Sequence, residues 1–243
     1  MKEQNPKKII VIGASSGMGR QLALLYAQKG HKVGIVARRE PLLREIKQKY
    51  PEQIITACFD VTKGHPVHNL RQLIAALGGL DLLIYNAGYG EVSLHLNPEI
   101  EKHTTQTNVV GFVAIVCFCF NYFVHQGQGQ IAVTSSVAAL RGNSRAPAYS
   151  ASKAFMSIYA EGLNLKARKL KKDIVVTDIR PGFVDTKPSK NHRRFWVEPP
   201  LKAARQIIRA IEKRKRVAYI SRRWWLVAQI LKLLPFWVYR RLG

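Results

Sequence analysis

"KKIIVIGASSGMGR", residues Lys7–Arg20, runs from a β-branched stretch, Ile9–Ile12, through three glycines into a helical pattern. Beyond it Leu22, Leu25 and Tyr26 recur at helical spacing. Gly13, Gly17 and Gly19 stand in the order G-x-x-x-G-x-G. Glycines so placed permit a tight turn and a close backbone approach. The helix can then turn its free N–H groups and positive dipole end toward a pyrophosphate. Such a pattern is weak alone, but its place between a first strand and a first helix favours a dinucleotide loop over a plain turn.

The next strand says which dinucleotide. It ends in "IVARRE", with Arg38 and Arg39 where an enzyme for NAD usually carries an acid for the ribose diol. Guanidinium groups match a doubly charged adenosine 2′-phosphate, so NADP(H) is favoured over NAD. The alternative is two more surface charges on a basic protein.

Farther out, "KKIIVIG", "HKVGIVA", "QIITACF", "LDLLIYN", "GQIAVTSS", "DIVVTDI" and "RVAYIS" predict seven strands separated by helical segments. Runs this apolar suit strands covered on both faces. The fold class expected is α/β: a Rossmann-type, doubly wound, seven-stranded parallel sheet between two layers of helices. We expect a single domain over residues 1–220, with a lid-like loop at 183–200, followed by a basic, aromatic, amphipathic extension at 221–243. The run "NVVGFVAIVCFCFNYF" is apolar nearly all round and is expected to be buried on more than one side.

Tyr149 and Lys153 lie four apart in "PAYSASKAF" and so share a helix face. Ser136, at the end of the fifth strand, stands thirteen residues before Tyr149. A loop can fold its hydroxyl back beside the phenol, where one carbonyl oxygen would accept hydrogen bonds from both. Ser135 competes for this role, and spacing favours Ser136.

In order and at these spacings, "GASSGMG", Asp60–Val61, "YNAG", Asn108 in "TNVVG", Ser136, "YSASK" and "RPGFVDT" resemble the short-chain dehydrogenase/reductase family over nearly the whole chain. The resemblance implies an oxidoreductase in which Asn108, Ser136, Tyr149 and Lys153 are catalytic. It also implies that Gly13, Ser15, Ser16, Gly17, Met18 and Gly19 cradle the cofactor. Asp60 and Val61 would face the adenine, and Asn86, Ala87 and Gly88 the cofactor's middle. Pro181, Gly182, Val184 and Thr186 would lie at the nicotinamide end. Lys153 would also bind the nicotinamide ribose, and Asn108 would hold a water linking the lysine to solvent. A tyrosine working near neutrality needs a lowered pKa, which an adjacent ammonium and an oxidised nicotinamide would supply. The chain departs from the family pattern at Ile12, where threonine is frequent, and at Tyr85, where asparagine is usual.

Lys and Arg number 39 against 15 acidic residues, a formal charge of +24. This balance favours polyanionic partners. From Lys190 onward 15 Lys/Arg face only Glu198 and Glu212. Within residues 221–243, Ser221 is an N-cap candidate and Pro235 a breaker. Trp224, Trp225, Leu226, Ile230, Leu231, Leu234, Phe236, Trp237 and Tyr239 form an apolar run bracketed by arginines. It is too short to span a bilayer. It suits either packing on the protein or lying at an anionic membrane surface. No uninterrupted apolar stretch of spanning length is expected. Three cysteines without ligand spacing are read as reduced core residues, no metal is expected, and the compartment is read as cytoplasmic.

The expected activity is NADP(H)-dependent interconversion of a carbonyl and a secondary alcohol on a small hydrophobic, lipid- or steroid-like substrate, by a homodimer or homotetramer. One rival is reduction of a 3-oxoacyl group on an acidic carrier protein. Another, from a different class, is a non-catalytic cofactor-sensing or nucleic-acid-binding regulator; the basic tail lacks a recognised nucleic-acid motif.

Overall fold

The computed structural model describes residues 6–93, 95–185 and 196–241. Seven parallel strands form one sheet: β1 (Lys8–Ile12), β2 (Lys32–Ala37), β3 (Ile54–Cys58), β4 (Leu82–Tyr85), β5 (Gln128–Thr134), β6 (Asp173–Pro181) and β7 (Val217–Ile220), in the order β3-β2-β1-β4-β5-β6-β7. β1 lies in the middle, its Val11 level with Ile35 on one side and Ile84 on the other.

Strand alternation divides the core in two. Ile9 and Val11 point to one face, where they meet Leu22 and Tyr26 of α1 (Gly17–Gln28), Leu43 of α2 (Glu40–Lys49) and Ile207 of α7 (Pro200–Glu212). Ile10 and Ile12 point to the other face. There they meet Leu73 of α3 (Pro66–Leu77), Phe120 of α5 (Gly111–Gln126) and Met156 of α6 (Pro147–Lys169). Neither face of the sheet is left to water, as the continuous apolar strand runs require.

The chain moves outward from β1 to β3, then crosses back to β4 on the other side of β1. The carboxyl ends of β1 and β4 therefore splay apart at a topological switch point, where open α/β sheets bind ligands.

α4 (Pro98–Thr105) is capped by Asn97, whose side chain accepts from the Glu99 amide at 3.0 Å. It runs through a wide turn at Gln106–Val110 into α5, so residues 98–126 are one helical rod, long and apolar enough to cross a membrane. Here its apolar half is core: Phe112, Ile115, Val116, Cys119, Phe120 and Phe123 are buried. The other side is open, with Cys117 and Asn121 exposed.

The cysteines depart from expectation. Only Cys119 is in the core, whereas Cys58 and Cys117 are exposed, because β3 is an edge strand and Cys117 lies on the outer side of α5. Ser221 does precede a helix, α8 (Arg222–Leu233), and a short α9 (Phe236–Tyr239) follows Pro235.

Candidate active site

The glycine loop joins β1 to α1 at the switch point. Gly13 has φ +84°, and a Cβ there would come within 2.6 Å of the Ala87 nitrogen. A Cβ on Gly19 would stand 2.2 Å from the Gly13 carbonyl oxygen. Two contacts therefore exclude side chains, and the loop folds flat against the end of β4. Asn86 fastens it, donating to the Gly13 carbonyl at 3.3 Å and accepting from the Thr134 hydroxyl at 3.2 Å. The Ser16 side chain does not cap α1, so the first-turn N–H groups remain available to an anion. Met18 is buried beneath the loop.

Arg39 donates to Ser15 Oγ at 2.8 Å and to Ser16 Oγ at 3.0 Å, which brings a guanidinium to the outer edge of the loop. Arg38 lies 3.7 Å from the Asp60 carboxylate. Burial pushes Asp60 upward, but the Thr62 amide and hydroxyl and the Arg38 charge outweigh it and hold the carboxyl below its ordinary range. Val61 is buried against Gly111, which leaves no room for a Cβ.

Tyr149 and Lys153 sit in the first turns of α6. The Tyr149 ring lies over Gly90, where a Cβ would come within 2.2 Å of the ring. Ser136 leaves the end of β5 in extended conformation, accepts from the Ala138 amide at 3.0 Å and donates to the Pro181 carbonyl at 3.5 Å, with its hydroxyl beside the Tyr149 phenol. The serine and tyrosine hydroxyls therefore converge, although thirteen residues separate them.

Ser135 is engaged elsewhere, bonded to Asp178 and, at 3.1 Å, to the Ile179 carbonyl. Lys153 is buried behind the pair. Its Nζ donates to the Thr134 carbonyl at 2.8 Å and lies 5.7 Å from the centre of the Tyr149 ring. Gly88 passes in front of it, a Cβ there falling 3.1 Å from Nζ.

Burial sets the electrostatics of the pair. Burial raises the Tyr149 phenol above its ordinary pKa, against the hydrogen bond from Ser136. Burial also lowers Lys153 to about 8, against the Asp178 carboxylate, which raises it. The Lys153 ammonium is directed at a backbone carbonyl, and burial dominates the phenol. The phenol is thus held protonated at neutral pH, the state needed to donate a proton.

Asn108 is fully buried at the wide turn between α4 and α5. Both donors of its amide go to protein, to the Tyr89 carbonyl at 2.7 Å and Ser152 Oγ at 2.9 Å, while Oδ1 accepts from the Tyr89 amide at 2.8 Å. It clamps the loop of residues 86–90 against α6, and so holds Gly88 and Gly90 over the lysine and tyrosine. A wide turn in a helix commonly marks a functional site.

After β6, the Gly182 amide donates to the Ile220 carbonyl at 2.9 Å, and a Cβ on Gly182 would overlap the Trp224 indole at 2.1 Å. Trp224 meets Phe183 edge to face, ring centres 5.3 Å apart, and Trp196 at 6.4 Å. Pro181 and Val184 are buried beside them. Thr186 lies outside the described residues.

Sequence reasoning missed Gly90, Ser152 and Asp178, and named Trp224 only within the C-terminal apolar run. Of the three missed, only Asp178 carried a signal, an acid inside the apolar strand "DIVVTDI". It is buried, paired with Arg180 Nε at 2.7 Å, and accepts from Ser157 at 2.7 Å. Arg180 also bonds Ser157 and Tyr219. Asp178→Asn would leave a mostly buried guanidinium without its counter-charge, at an expected cost of about 3–5 kcal/mol. Urea denaturation checks this, and an unchanged midpoint would remove the network from its supporting role.

A short chain dehydrogenase family model matches residues 7–195. An oxidoreductase of Myxococcus xanthus is 37% identical over 190 residues, which cover 76% of this chain and 74% of that protein. A 3-oxoacyl-[acyl-carrier-protein] reductase of Bos taurus is 31% identical over 188 residues, covering 76% and 78%. The crystal structure of a short chain dehydrogenase from Burkholderia cenocepacia in complex with NADP superimposes with a TM-score of 0.83 at 21% identity, over 98% of this chain and 97% of that one. With the glycine loop at the sheet's switch point and serine, tyrosine and lysine gathered at its mouth, this chain belongs to the short-chain dehydrogenase family of oxidoreductases.

Proposed function

We propose that the protein is an NADP(H)-dependent oxidoreductase that interconverts a carbonyl and a secondary alcohol on a hydrophobic substrate. The observation that carries this reading is the meeting of the Ser136 and Tyr149 hydroxyls in front of the buried Lys153, at the mouth of the glycine-lined cleft. The bound cofactor supplies the hydride that the carbonyl carbon accepts. Tyr149 gives its phenolic proton to the carbonyl oxygen, and Ser136 donates a hydrogen bond to that oxygen and orients it. Lys153, fixed by the Thr134 carbonyl, would hold the nicotinamide ribose.

NADP(H) is favoured by Arg38 and Arg39. Arg39 already spans Ser15 and Ser16 at the rim where an adenosine ribose would lie. Charge-assisted hydrogen bonds are worth about 1.5–3 kcal/mol each. Arg39→Ala is therefore expected to lower the preference for NADPH over NADH by about 10- to 100-fold, read as the ratio of kcat/KM values. An unmoved ratio would reassign the arginine to surface charge.

A hydrophobic substrate is favoured by Phe183, Trp196 and Trp224 beside Gly182. The rival is reduction of a carrier-linked 3-oxoacyl group. It is favoured by the likeness to the bovine reductase and by the basic charge, and kinetics on free and carrier-linked ketones separate the two. For assembly, we read the outer sides of α6 and of the wide turn leading into α5, where Val110, Phe155, Ile158 and Leu165 are exposed, as the face that pairs with a second copy. A reducing, cytoplasm-like compartment is the setting we propose.

A further inference from the structure

α8 is apolar on two opposite sides. Its inner stripe, Trp224, Val227, Ala228 and Leu231, packs on Val137 and Leu140 in the turn after Ser136, and on Tyr219. Leu226, Ile230 and Leu233 repeat at the same spacing on the opposite side and are exposed, Leu233 at 84%. Trp225, Phe236 and Trp237 extend this surface and are also exposed. A helix that covers a soluble core normally turns polar groups outward. Here cations stand at the margins instead: Arg223, Lys232, Arg240 and Arg241.

The module is held in place on its inner side. Arg141 donates through Nε to the Leu231 carbonyl at 3.0 Å and through Nη2 to the Leu234 carbonyl, and it stacks over Tyr239. Tyr239 donates to the Gly142 carbonyl at 2.5 Å. A groove of about 700 Å³ runs beside α9, between Phe236, Tyr239 and Arg240 on one wall and Arg141, Ser150 and Ala154 on the other. Its lining includes two guanidinium-bearing side chains and lacks a carboxylate among the described residues.

We propose that the outer face of α8 and α9 docks on an anionic lipid bilayer, with Leu226, Ile230, Leu233, Phe236 and Trp237 entering the headgroup–acyl boundary and the flanking cations meeting lipid phosphates. The groove beside α9 then opens at the bilayer surface, where Arg141 and Arg240 can receive an anionic headgroup. Charge decides among occupants. A second copy related by a two-fold axis would set this cation-rimmed face against its own like, on a chain of formal charge +24. An acidic protein would match the rim but leave the aliphatic and aromatic centre facing charged residues. Anionic lipid matches both.

The experiment is co-sedimentation of the full chain with vesicles of phosphatidylcholine alone and with one-third phosphatidylglycerol. Binding to the anionic vesicles is expected to exceed binding to neutral ones by at least tenfold and to fall with added salt. Leu233→Glu with Trp237→Glu is expected to abolish it. Reduction of a water-soluble ketone should continue at the wild-type rate, which reports an intact fold independently of lipid. Arg240→Glu with Arg241→Glu is a second variant, expected to lower anionic binding about tenfold or more. Equal binding to both vesicle types, binding to neither, or a Leu233→Glu, Trp237→Glu variant that loses a dimer in sedimentation velocity instead of lipid would each overturn the assignment.

Discussion

Tyr149→Phe is expected to lower NADPH-dependent ketone reduction by about 10³-fold, within the range a positioned general acid contributes. The substitution keeps the ring that packs on Gly90 and removes only the hydroxyl beside Ser136. Its effect should therefore fall on kcat, while the dissociation constant for NADPH, read by nucleotide fluorescence, changes by less than about threefold. Ser136 cannot replace the lost phenol, because an aliphatic hydroxyl is a far weaker acid than a phenol and can only hydrogen-bond the substrate oxygen. Turnover above one-tenth of wild type would show that another group, or water, protonates the substrate, and the proposed chemistry would fail with it.

Much of the fold was legible because its signals are local. The β-branched runs alternate with helical spacing, and each of the seven predicted strands is present. The glycine loop was legible for the same reason. A turn that must touch the next strand excludes side chains at fixed positions, as Gly13 and Gly19 show.

What remained hidden was set by contacts between distant segments. Gly90 is glycine because the Tyr149 ring lies on it, and Gly182 because Trp224 does. Nothing in either local stretch announces a partner 59 or 42 residues away. The balance of burial and charge around Tyr149 and Lys153 was hidden for a related reason. Spacing places two side chains on one helix face, but burial and the direction of Nζ toward Thr134 decide how strongly they act on each other. The arrangement of residues 221–241 was legible only in part. Composition showed an amphipathic, cationic segment with two outcomes in view, whereas the paired stripes of α8 assign one side to the protein and expose the other.

Gly19→Ala carries the second large expectation, and it separates cofactor binding from chemistry. Gly19 lies in the first turn of α1, where alanine is favoured by helix propensity, so its backbone conformation is no obstacle. The obstacle is space: a methyl group would stand 2.2 Å from the Gly13 carbonyl oxygen and 2.9 Å from the Asn86 amide nitrogen. The first neighbour is backbone and cannot rotate away. Relief therefore requires the glycine loop to move off α1 or Asn86 to leave the Gly13 carbonyl, and either shift carries the first-turn N–H groups out of register with a pyrophosphate. Displacements of about 1 Å at such a site cost about 10²-fold. NADPH affinity is expected to fall by that factor or more. At saturating cofactor kcat should recover to within about tenfold of wild type, since Ser136, Tyr149 and Lys153 are mounted on β5 and α6. Affinity that survives the alanine would mean that this loop does not carry the pyrophosphate, and the dinucleotide would have to be sought elsewhere along the sheet's edge.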